Sequence, residues 1–384
     1  MLQKNTSSSF QSFGDPILTA VHRSLGEMQG RRPLAVACED GLRFALVLDG
    51  CGDDEIAAFI DGLCGGEADL VLSAVRARMM RLAPEITHGA VATPVASPAA
   101  GGPGALQLME IATAPELISQ PASVLPFEAA GRAATAAVEL AKLAQRIPAC
   151  LVARNPAPAP VDESLIVVKA EEVERFRARL AATLKPVSEA RVPIAEGIST
   201  RFVIFRNAIG GIATAVVVGE PDAEKPVPVR VHSSCLTGDI FGSRRCDCGE
   251  QLQLALRRLD ELGGGCLIYL DQEGRGLGLA NKMHAYALQD QGLDTVDANM
   301  VLGFHDDERD YHAAGFMLKR MGWERITLLT NNPTKLRGLA DAGIEVVDRM
   351  PVVTEVNGDN RRYLETKARR AGHLLDTAGF LETV

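Results

Sequence analysis

Residues 229–270 read VRVHSSCLTGDIFGSRRCDCGEQLQLALRRLDELGGGCLIYL, and this stretch predicts a strand, a helix and a second strand in succession. The alternation at 229–233 is typical of a half-buried strand. From Gln251 the apolar residues keep helical spacing until three glycines at 263–265 end the pattern. The apolar run Cys266–Leu270 has the length of a strand. A loop rich in cysteine and charge therefore lies between a strand and a helix.

Further predicted elements continue this alternation along the chain. Strands are predicted at 200–207, 212–219, 326–330 and 344–347, and helices near 279–291, 308–322, 335–342 and 359–374. Helices that alternate with short apolar strands predict a layered α/β domain, which we assign to residues 191–384. Residues 1–190 are rich in Ala, and we expect a separate α/β domain there, with Pro/Ala-rich linkers near 89–105 and 155–160.

The overall composition excludes several classes of protein. The 384 residues carry 40 Lys and Arg against 49 Asp and Glu, a net charge of −9, which gives no basis for indiscriminate binding to nucleic acid or to an anionic membrane. No apolar run is long enough to cross a bilayer, and the first residues lack a secretory signal. Eight cysteines are too few for a disulfide scaffold in a chain of this length. We therefore expect a soluble cytoplasmic protein with free thiols or metal ligands.

Three of the cysteines form a compact pattern in the loop after the first strand. Cys235, Cys246 and Cys248 are spaced C-x10-C-x-C. Three thiolates can hold a zinc ion and leave one tetrahedral position open, which is the requirement for a metal that activates water. Two alternatives remain: His232 completes a structural Cys3His site, or the three thiols are inert and buried.

Three other polar segments also follow predicted strands or precede predicted helices. The charged, glycine-rich segment 271–278 follows the strand at 266–270, and 330–335 places two amides and a lysine between a strand and a helix. Such positions receive ligands in α/β domains, although each is equally compatible with an ordinary loop or turn. The acidic run 306–310 is compatible with simple capping of the following helix.

Taken together, these segments resemble one enzyme family. From Arg230 to Leu375 the chain resembles GTP cyclohydrolase II, which commits GTP to riboflavin synthesis. The matching stretches are RVHSSCLTGD from Arg230, RCDCGEQ from Arg245, QEGRG from Gln272, YALQDQGLDT from Tyr286, LLTNNP ending at Pro333, and GHLL from Gly372.

The resemblance implies a metal-dependent hydrolysis. It implies one catalytic Zn²⁺ per subunit, held by Cys235, Cys246 and Cys248, which lowers the pKa of water for attack at carbon 8 of guanine. Formate is then released, and pyrophosphate is cleaved from the triphosphate with the help of Mg²⁺. The implied product is 2,5-diamino-6-(5-phosphoribosylamino)pyrimidin-4(3H)-one, and the implied assembly is a homodimer.

The resemblance also assigns roles to individual residues. Arg309 matches a proposed nucleophile toward the α-phosphorus, Asp307 a proposed proton acceptor and Tyr286 a tyrosine near the attacking water. A guanidinium is a poor nucleophile, so a simpler role for Arg309 is to clamp phosphate charge. The positions that match GTP contacts are Arg230, Val231, His232, Ser233, Ser234, Gln251, Glu273, Gly274, Arg275, Thr295, Thr330 and Lys335.

Two positions depart from the family pattern. Many relatives carry Glu where this chain has Ser234, so a carboxylate beside the first metal ligand is absent. His284 stands where relatives usually have Arg or Lys, which makes the charge there dependent on pH. Neither change affects a predicted metal ligand.

The first half of the chain carries a fainter resemblance. Residues 17–75 look like the start of a dihydroxybutanone phosphate synthase, which is fused ahead of the cyclohydrolase in many bacteria. The acidic cluster that would bind its metal is absent, and only Glu39 and Asp40 remain. We therefore expect a degenerate domain with a structural or dimer-supporting role.

Three hypotheses follow for the whole chain. The first is the zinc-dependent GTP cyclohydrolase. The second is a related hydrolase that acts on another purine nucleotide or in a specialised pathway. The third is a non-catalytic zinc module that binds a partner.

Overall fold

The computed structural model describes residues 14–115, 126–157, 162–354 and 369–370. They belong to two compact units, of which the first combines Met1–Phe176 with Ala280–Asp307 and the second combines Arg177–Leu279 with Glu308–Val384. Each unit contains one seven-stranded sheet, so the protein is mixed α/β in both units, as predicted. The described residues include no helix with the length and apolarity needed to cross a bilayer.

The strands and helices follow one another along the chain. The strands are β1 (Leu34–Cys38), β2 (Gly41–Val47), β3 (Ala68–Ser73), β4 (Ala90–Val95), β5 (Glu128–Ala129), β6 (Ala149–Ala153), β7 (Val167–Lys169), β8 (Lys185–Arg191), β9 (Thr200–Arg206), β10 (Ile212–Gly219), β11 (Val227–Ser233), β12 (Gly264–Leu270), β13 (Arg325–Leu329) and β14 (Glu345–Met350). The helices are α1 (Pro16–Gln29), α2 (Asp53–Ala57), α3 (Ala74–Met79), α4 (Ala105–Thr113), α5 (Arg132–Leu143), α6 (Ala170–Ala182), α7 (Cys248–Glu261), α8 (Leu279–Asp290), α9 (Thr295–Val301), α10 (His312–Arg320) and α11 (Pro333–Asp341).

The sheet of the first unit has the strand order β5-β4-β3-β6-β2-β1-β7. Strand β4 lies inside the stretch 89–105 that the sequence analysis assigned to a linker, so that assignment is wrong for residues 90–95. Val91 and Val95 are buried, and β4 pairs with β3 along its whole length. Pro94 is tolerated because it is exposed at a point where β5 no longer pairs with β4.

The sheet of the second unit has the strand order β14-β13-β11-β12-β10-β9-β8 and carries an apolar core on each face. Side chains alternate between the two cores, as the period of a strand requires. Val217 and Ile268 pack with residues of α10 and α11, whereas Val216 and Leu267 pack with residues of α7. Helices therefore cover both faces of this sheet.

Four neighbouring strands of this sheet, β14, β13, β11 and β12, run parallel, and the last three bring their carboxyl ends to the edge that concerns the polar loops. Strand β11 lies between β13 and β12 and is parallel to both. The loops that leave these ends begin at Ser234, Asp271 and Thr330. Ligands bind outside the carboxyl ends of strands in such sheets. The topology therefore collects the cysteine loop and two of the other polar segments at one edge.

The predicted elements of the second unit agree with the structure except at some boundaries. The helix predicted near 308–322 begins only at His312, since the backbone N–H of Glu308 donates to the carbonyl of Arg275 and the following residues are not helical. The helix predicted at 359–374 lies outside the described residues, apart from 369–370.

Gly265 provides a test of the packing between β12 and α7. A Cβ at this position would lie 2.5 Å from Leu259 Cδ2 and 2.5 Å from the carbonyl oxygen of Pro228. We expect Gly265→Ala to lower the free energy of unfolding by about 1–3 kcal/mol through overpacking. Trp323, the single tryptophan, is buried in the second unit and reports urea unfolding by its fluorescence.

The matched control is Glu261→Ala on the exposed end of α7, where an exposed ion pair with Arg258 contributes little. This variant should unfold within about 0.5 kcal/mol of the wild type. A Gly265→Ala protein as stable as the control would contradict the packing described for β12.

Candidate metal and nucleotide site

Three cysteines meet at the carboxyl edge of the second sheet. The Sγ atoms of Cys235, Cys246 and Cys248 all lie within 4.8 Å of one another, and those of Cys235 and Cys246 are 3.7 Å apart. Cys235 follows β11, whereas Cys248 is the first residue of α7, so the loop must fold back to close the cluster. Gly238 makes this possible, because a Cβ there would lie 3.1 Å or less from two of the sulfurs.

The donor set of this cluster fits zinc. Soft thiolate ligands favour zinc among the common divalent ions, and Cys235 and Cys246 are buried. Hydrogen bonding among the thiols, together with burial, raises the pKa of Cys246 and raises that of Cys248 well above its ordinary value. A divalent cation among the sulfurs would offset this effect and deprotonate the ligands.

Asp239 holds the cysteine loop against the sheet. Its carboxylate accepts hydrogen bonds from the Tyr269 hydroxyl at 2.9 Å and from the Cys235 backbone N–H at 3.0 Å. The same carboxylate lies 3.1 Å from His232 Nε2, and the His232 ring stacks on Tyr269 with centroids 5.6 Å apart. Burial lowers the pKa of His232. His232 thus pairs with Asp239 and lies outside the sulfur cluster found among the described residues, which argues against a Cys3His site.

Glu273 holds the same loop from the other side. One carboxylate oxygen accepts from the Leu236 backbone N–H at 2.6 Å and the other from the Gly274 N–H at 3.0 Å. The segment turns sharply at Gly274 and Arg275, whose φ angles are 62° and 61°. Because a non-glycine residue pays about 1–2 kcal/mol for this conformation, the fold constrains the backbone of Arg275 strongly.

Arg230 and Gln251 form a buried polar chain behind the cluster. Arg230 donates to the carbonyl of Leu329 at 3.0 Å and to Gln251 Oε1 at 2.6 Å. Gln251 in turn donates to Asp247, which lies between two of the cysteines, at 2.6 Å. Burial lowers the pKa of Arg230 to about 10, so its guanidinium remains charged at neutral pH.

Lys335 and Thr330 are buried in the loop that follows β13. Lys335 Nζ donates to the carbonyl of Val231 at 2.7 Å, which fixes the first turn of α11 to β11. The hydroxyl of Thr330 accepts from the Asn332 backbone N–H at 3.0 Å. Both predicted GTP contacts are thus collected at the same edge as the cysteines.

Ser233 and Ser234 lie where β11 ends. The Ser233 hydroxyl donates to Gln272 Oε1 at 3.4 Å, and the Ser234 hydroxyl donates to Asp271 Oδ1 at 3.3 Å. These contacts link the end of β11 to the end of β12.

Arg309 belongs to the second unit and lies beside an aromatic ring. Its guanidinium carbon is 5.8 Å from the centre of the Tyr311 ring. The bond from the Glu308 N–H to the Arg275 carbonyl joins this segment to the loop after β12. The structure therefore connects Arg309 to the edge that carries the cysteines.

Three predicted site residues belong to the first unit. Tyr286 lies on α8, with Lys282 Nζ 5.7 Å from its ring centre. Thr295 begins α9, and Asp307 is half-buried at the end of the segment that this unit contributes.

Sequence reasoning gave no role to Asp239, Asp247 or Tyr269. Asp239 and Asp247 stand within the cysteine motif, and Tyr269 carries the one hydroxyl in an otherwise apolar strand. These positions in the sequence mark the three residues as candidates. Their hydrogen-bond partners cannot be read from the sequence, because they depend on how the loop and the strands come together in the fold.

A model of the GTP cyclohydrolase II family matches residues 185–351. A GTP cyclohydrolase-2 of Xylella fastidiosa (strain Temecula1) is 37% identical over 377 residues, which cover 97% of this chain and 91% of that protein. A GTP cyclohydrolase-2 of Azospirillum brasilense is 47% identical over 251 residues, 64% of this chain and 65% of that protein. One from Salmonella typhimurium is 50% identical over 192 residues, 50% of this chain and 98% of that protein. The aligned part thus spans slightly less than two thirds of the Azospirillum protein and nearly all of the other two.

The ligand set can be tested by metal content. We expect Cys246→Ser to lose bound zinc, because two thiolates and a hydroxyl bind it poorly. His232→Ala should retain zinc, since the imidazole pairs with Asp239. Elemental analysis of the purified proteins measures both, and loss of zinc in His232→Ala to the extent seen in Cys246→Ser would contradict the three-cysteine site.

The requirement for glycine at position 238 can be tested in the same way. Gly238→Ala places a Cβ against two sulfurs and should lower zinc affinity about tenfold or more in a chelator competition. Gly242→Ala is the control, because Gly242 lies in the same loop and a Cβ there would meet no other atom within 4 Å. Its φ of +61° means that the substitution adds backbone strain but no contact with the sulfurs. Equal affinities for the two variants would show that Gly238 does not limit the cluster.

Proposed function

The chain belongs to the GTP cyclohydrolase II family, and we propose that it catalyses the zinc-dependent hydrolysis of GTP at carbon 8 of guanine. Formate and pyrophosphate leave, and the product is 2,5-diamino-6-(5-phosphoribosylamino)pyrimidin-4(3H)-one, the first intermediate of riboflavin biosynthesis. The observation that carries this proposal is the cluster of Cys235, Cys246 and Cys248 at the carboxyl edge of three parallel strands.

The metal and the protein supply different parts of this chemistry. Zinc, when bound by the three cysteines, supplies a water of lowered pKa. Asp239 and Glu273 hold the cysteine loop through backbone N–H groups, so the ligands are positioned before substrate arrives.

The cationic residues of the edge suit the triphosphate. Arg230 lies in β11, Arg275 in the loop after β12 and Lys335 in the first turn of α11, and we assign all three to phosphate oxygens alongside Mg²⁺. We assign Arg309 to the same task, because a protonated guanidinium stabilises phosphate charge and lacks a free electron pair for attack. Gln251 and Glu273 are assigned to the guanine edge, which their amide and carboxylate groups can recognise.

The residues of the segment 280–307 complete the proposed machinery. Asp307 would accept a proton, Tyr286 would orient the attacking water through its hydroxyl, and Thr295 would contact GTP. A carboxylate placed beside the reacting groups can take up a proton during the reaction.

No second activity is proposed for the first half of the chain. The acidic cluster of a dihydroxybutanone phosphate synthase is absent there. The relative from Xylella fastidiosa, which aligns with 97% of this chain at 37% identity, is named as a GTP cyclohydrolase-2 alone. We propose a supporting role for this half, in a cytoplasmic homodimer.

A second candidate is a hydrolase of the same chemistry with another purine nucleotide as substrate. The observation that favours it is Ser234 beside the first cysteine, where the family resemblance leads us to expect a carboxylate. A non-catalytic zinc module is disfavoured, because it requires His232 as the fourth ligand and His232 pairs with Asp239.

The decisive assay incubates zinc-loaded protein with GTP and Mg²⁺ and measures formate and pyrophosphate. We expect equal amounts of both from GTP, and no formate after zinc is removed by a chelator, with recovery when zinc is added back. Cys246→Ser should release no formate, whereas Gly242→Ala should keep most of the activity.

Parallel incubation with ATP separates the two candidates. Formate from ATP at a higher kcat/KM than from GTP would replace the proposed substrate with an adenine nucleotide. Zinc-loaded protein that releases formate from neither nucleotide would contradict both.

A further inference from the structure

The segment Ala280–Asp307 carries three residues assigned to the reaction but belongs to the first unit. The chain enters it from the second unit at Leu279 and returns to that unit at Glu308. Helix α9 within it packs against α3 of the first unit. The fixation of this segment therefore depends on residues far away in the sequence.

Arg76 of α3 is the most deeply buried charged side chain of this contact, with 2% of its surface exposed. Its guanidinium donates to the carbonyl of Val301 at 3.0 Å and to that of Ile111 at 2.8 Å. Val301 is the last residue of α9, and Ile111 lies in the last turn of α4. Arg76 therefore joins the carbonyl ends of two helices, where unpaired carbonyls and the helix dipole favour a cation.

Ser73 and Gly303 make a second connection beside the first. The Ser73 hydroxyl donates to the carbonyl of Gly303 at 2.6 Å. Gly303 has a φ of +88°, and a Cβ there would lie 2.8 Å from Pro148 Cγ and 3.0 Å from Ser73 Oγ. The backbone that leaves α9 thus packs closely against Ser73 and Pro148 of the same unit, with no room for a side chain at Gly303.

At the other end of the segment, Asn281 also bonds to an earlier part of the first unit. It is almost fully buried, and its amide nitrogen donates to the carbonyl of Gln145 at 3.0 Å. Both ends of the segment are therefore bonded to residues that precede position 150.

We propose that Ser73 and Arg76 are positioning residues of the cyclohydrolase reaction, acting through the carbonyls of Val301 and Gly303 to fix the backbone that leads to Asp307. This inference rests on the proposed function. It gives the first unit a part in the reaction although its own acidic cluster is absent. A planar guanidinium can donate to two carbonyl oxygens at once and so fix the positions of both. An apolar side chain of the same volume makes no such hydrogen bonds.

The test compares Arg76→Met with Arg78→Met, two arginines of the same helix, of which Arg78 is exposed. We expect Arg76→Met to lower kcat with GTP by about 10–10²-fold, the loss typical of a catalytic group displaced by about 1 Å. Arg78→Met should keep the wild-type kcat. Hydrogen exchange of the amides at 295–307 should be faster in Arg76→Met and unchanged in Arg78→Met.

A double variant separates positioning from general destabilisation. If Arg76 acts through Asp307, adding Arg76→Met to Asp307→Asn should lower kcat no further, since the group that it positions is already lost. A merely structural role would lower kcat by the same factor in both backgrounds. That result would overturn the inference, as would a wild-type kcat in Arg76→Met.

If Arg76→Met does not fold, Ser73→Ala tests the same inference. It removes one hydroxyl and should lower kcat several-fold, on the scale of one hydrogen bond, with faster exchange at 295–307. Unchanged kcat and exchange in Ser73→Ala would overturn the inference. A wild-type protein that releases no formate would instead contradict the proposed function, and the exchange data would still decide whether Ser73 and Arg76 fix the segment.

Discussion

Three sulfur atoms lie within 4.8 Å of one another, and this close approach constrains the loop that carries them and the residues that hold the loop. Three thiolates at this distance repel each other, so all three can carry charge only with a cation among them. The zinc that we propose among the three sulfurs would supply that cation, and the loop from Cys235 to Cys248 holds the sulfurs at the distances that it requires. Gly238 has no side chain and so leaves space for the sulfurs. The carboxylates of Asp239 and Glu273 hold the loop by accepting hydrogen bonds from its backbone N–H groups. Residues outside the sulfur cluster thus determine where the three sulfurs lie.

The first unit is connected to the same chemistry through the chain itself. The relative from Xylella fastidiosa aligns with 97% of this chain, so both halves occur together in a protein named for one activity. In this chain, Arg76 and Ser73 bind the segment that carries Tyr286, Thr295 and Asp307. A domain without the acidic cluster of a dihydroxybutanone phosphate synthase would keep a part in the reaction if it fixes the residues that we propose as catalytic.

The sequence predicted local features well and long-range contacts poorly. The strand, helix and strand of 229–270 and the cysteine cluster follow from periodicity and spacing, which record burial and ligand chemistry directly. The strand at 90–95 was misassigned, because a composition of Ala, Val and Pro resembles a linker until β3 is known to pair with it. The bond between Arg76 and Val301 joins residues 225 positions apart, and no local pattern indicates it.

X-ray absorption at the zinc edge of the zinc-loaded protein tests the central claim most directly, because it counts the ligands of the metal. The account predicts three sulfur ligands at about 2.3 Å and one light ligand without the multiple-scattering signature of imidazole. That light ligand should be exchangeable solvent, so it should change when GTP is added. Four sulfur ligands, or three sulfurs with an imidazole, would contradict the account, because the site would then have no open position for catalysis.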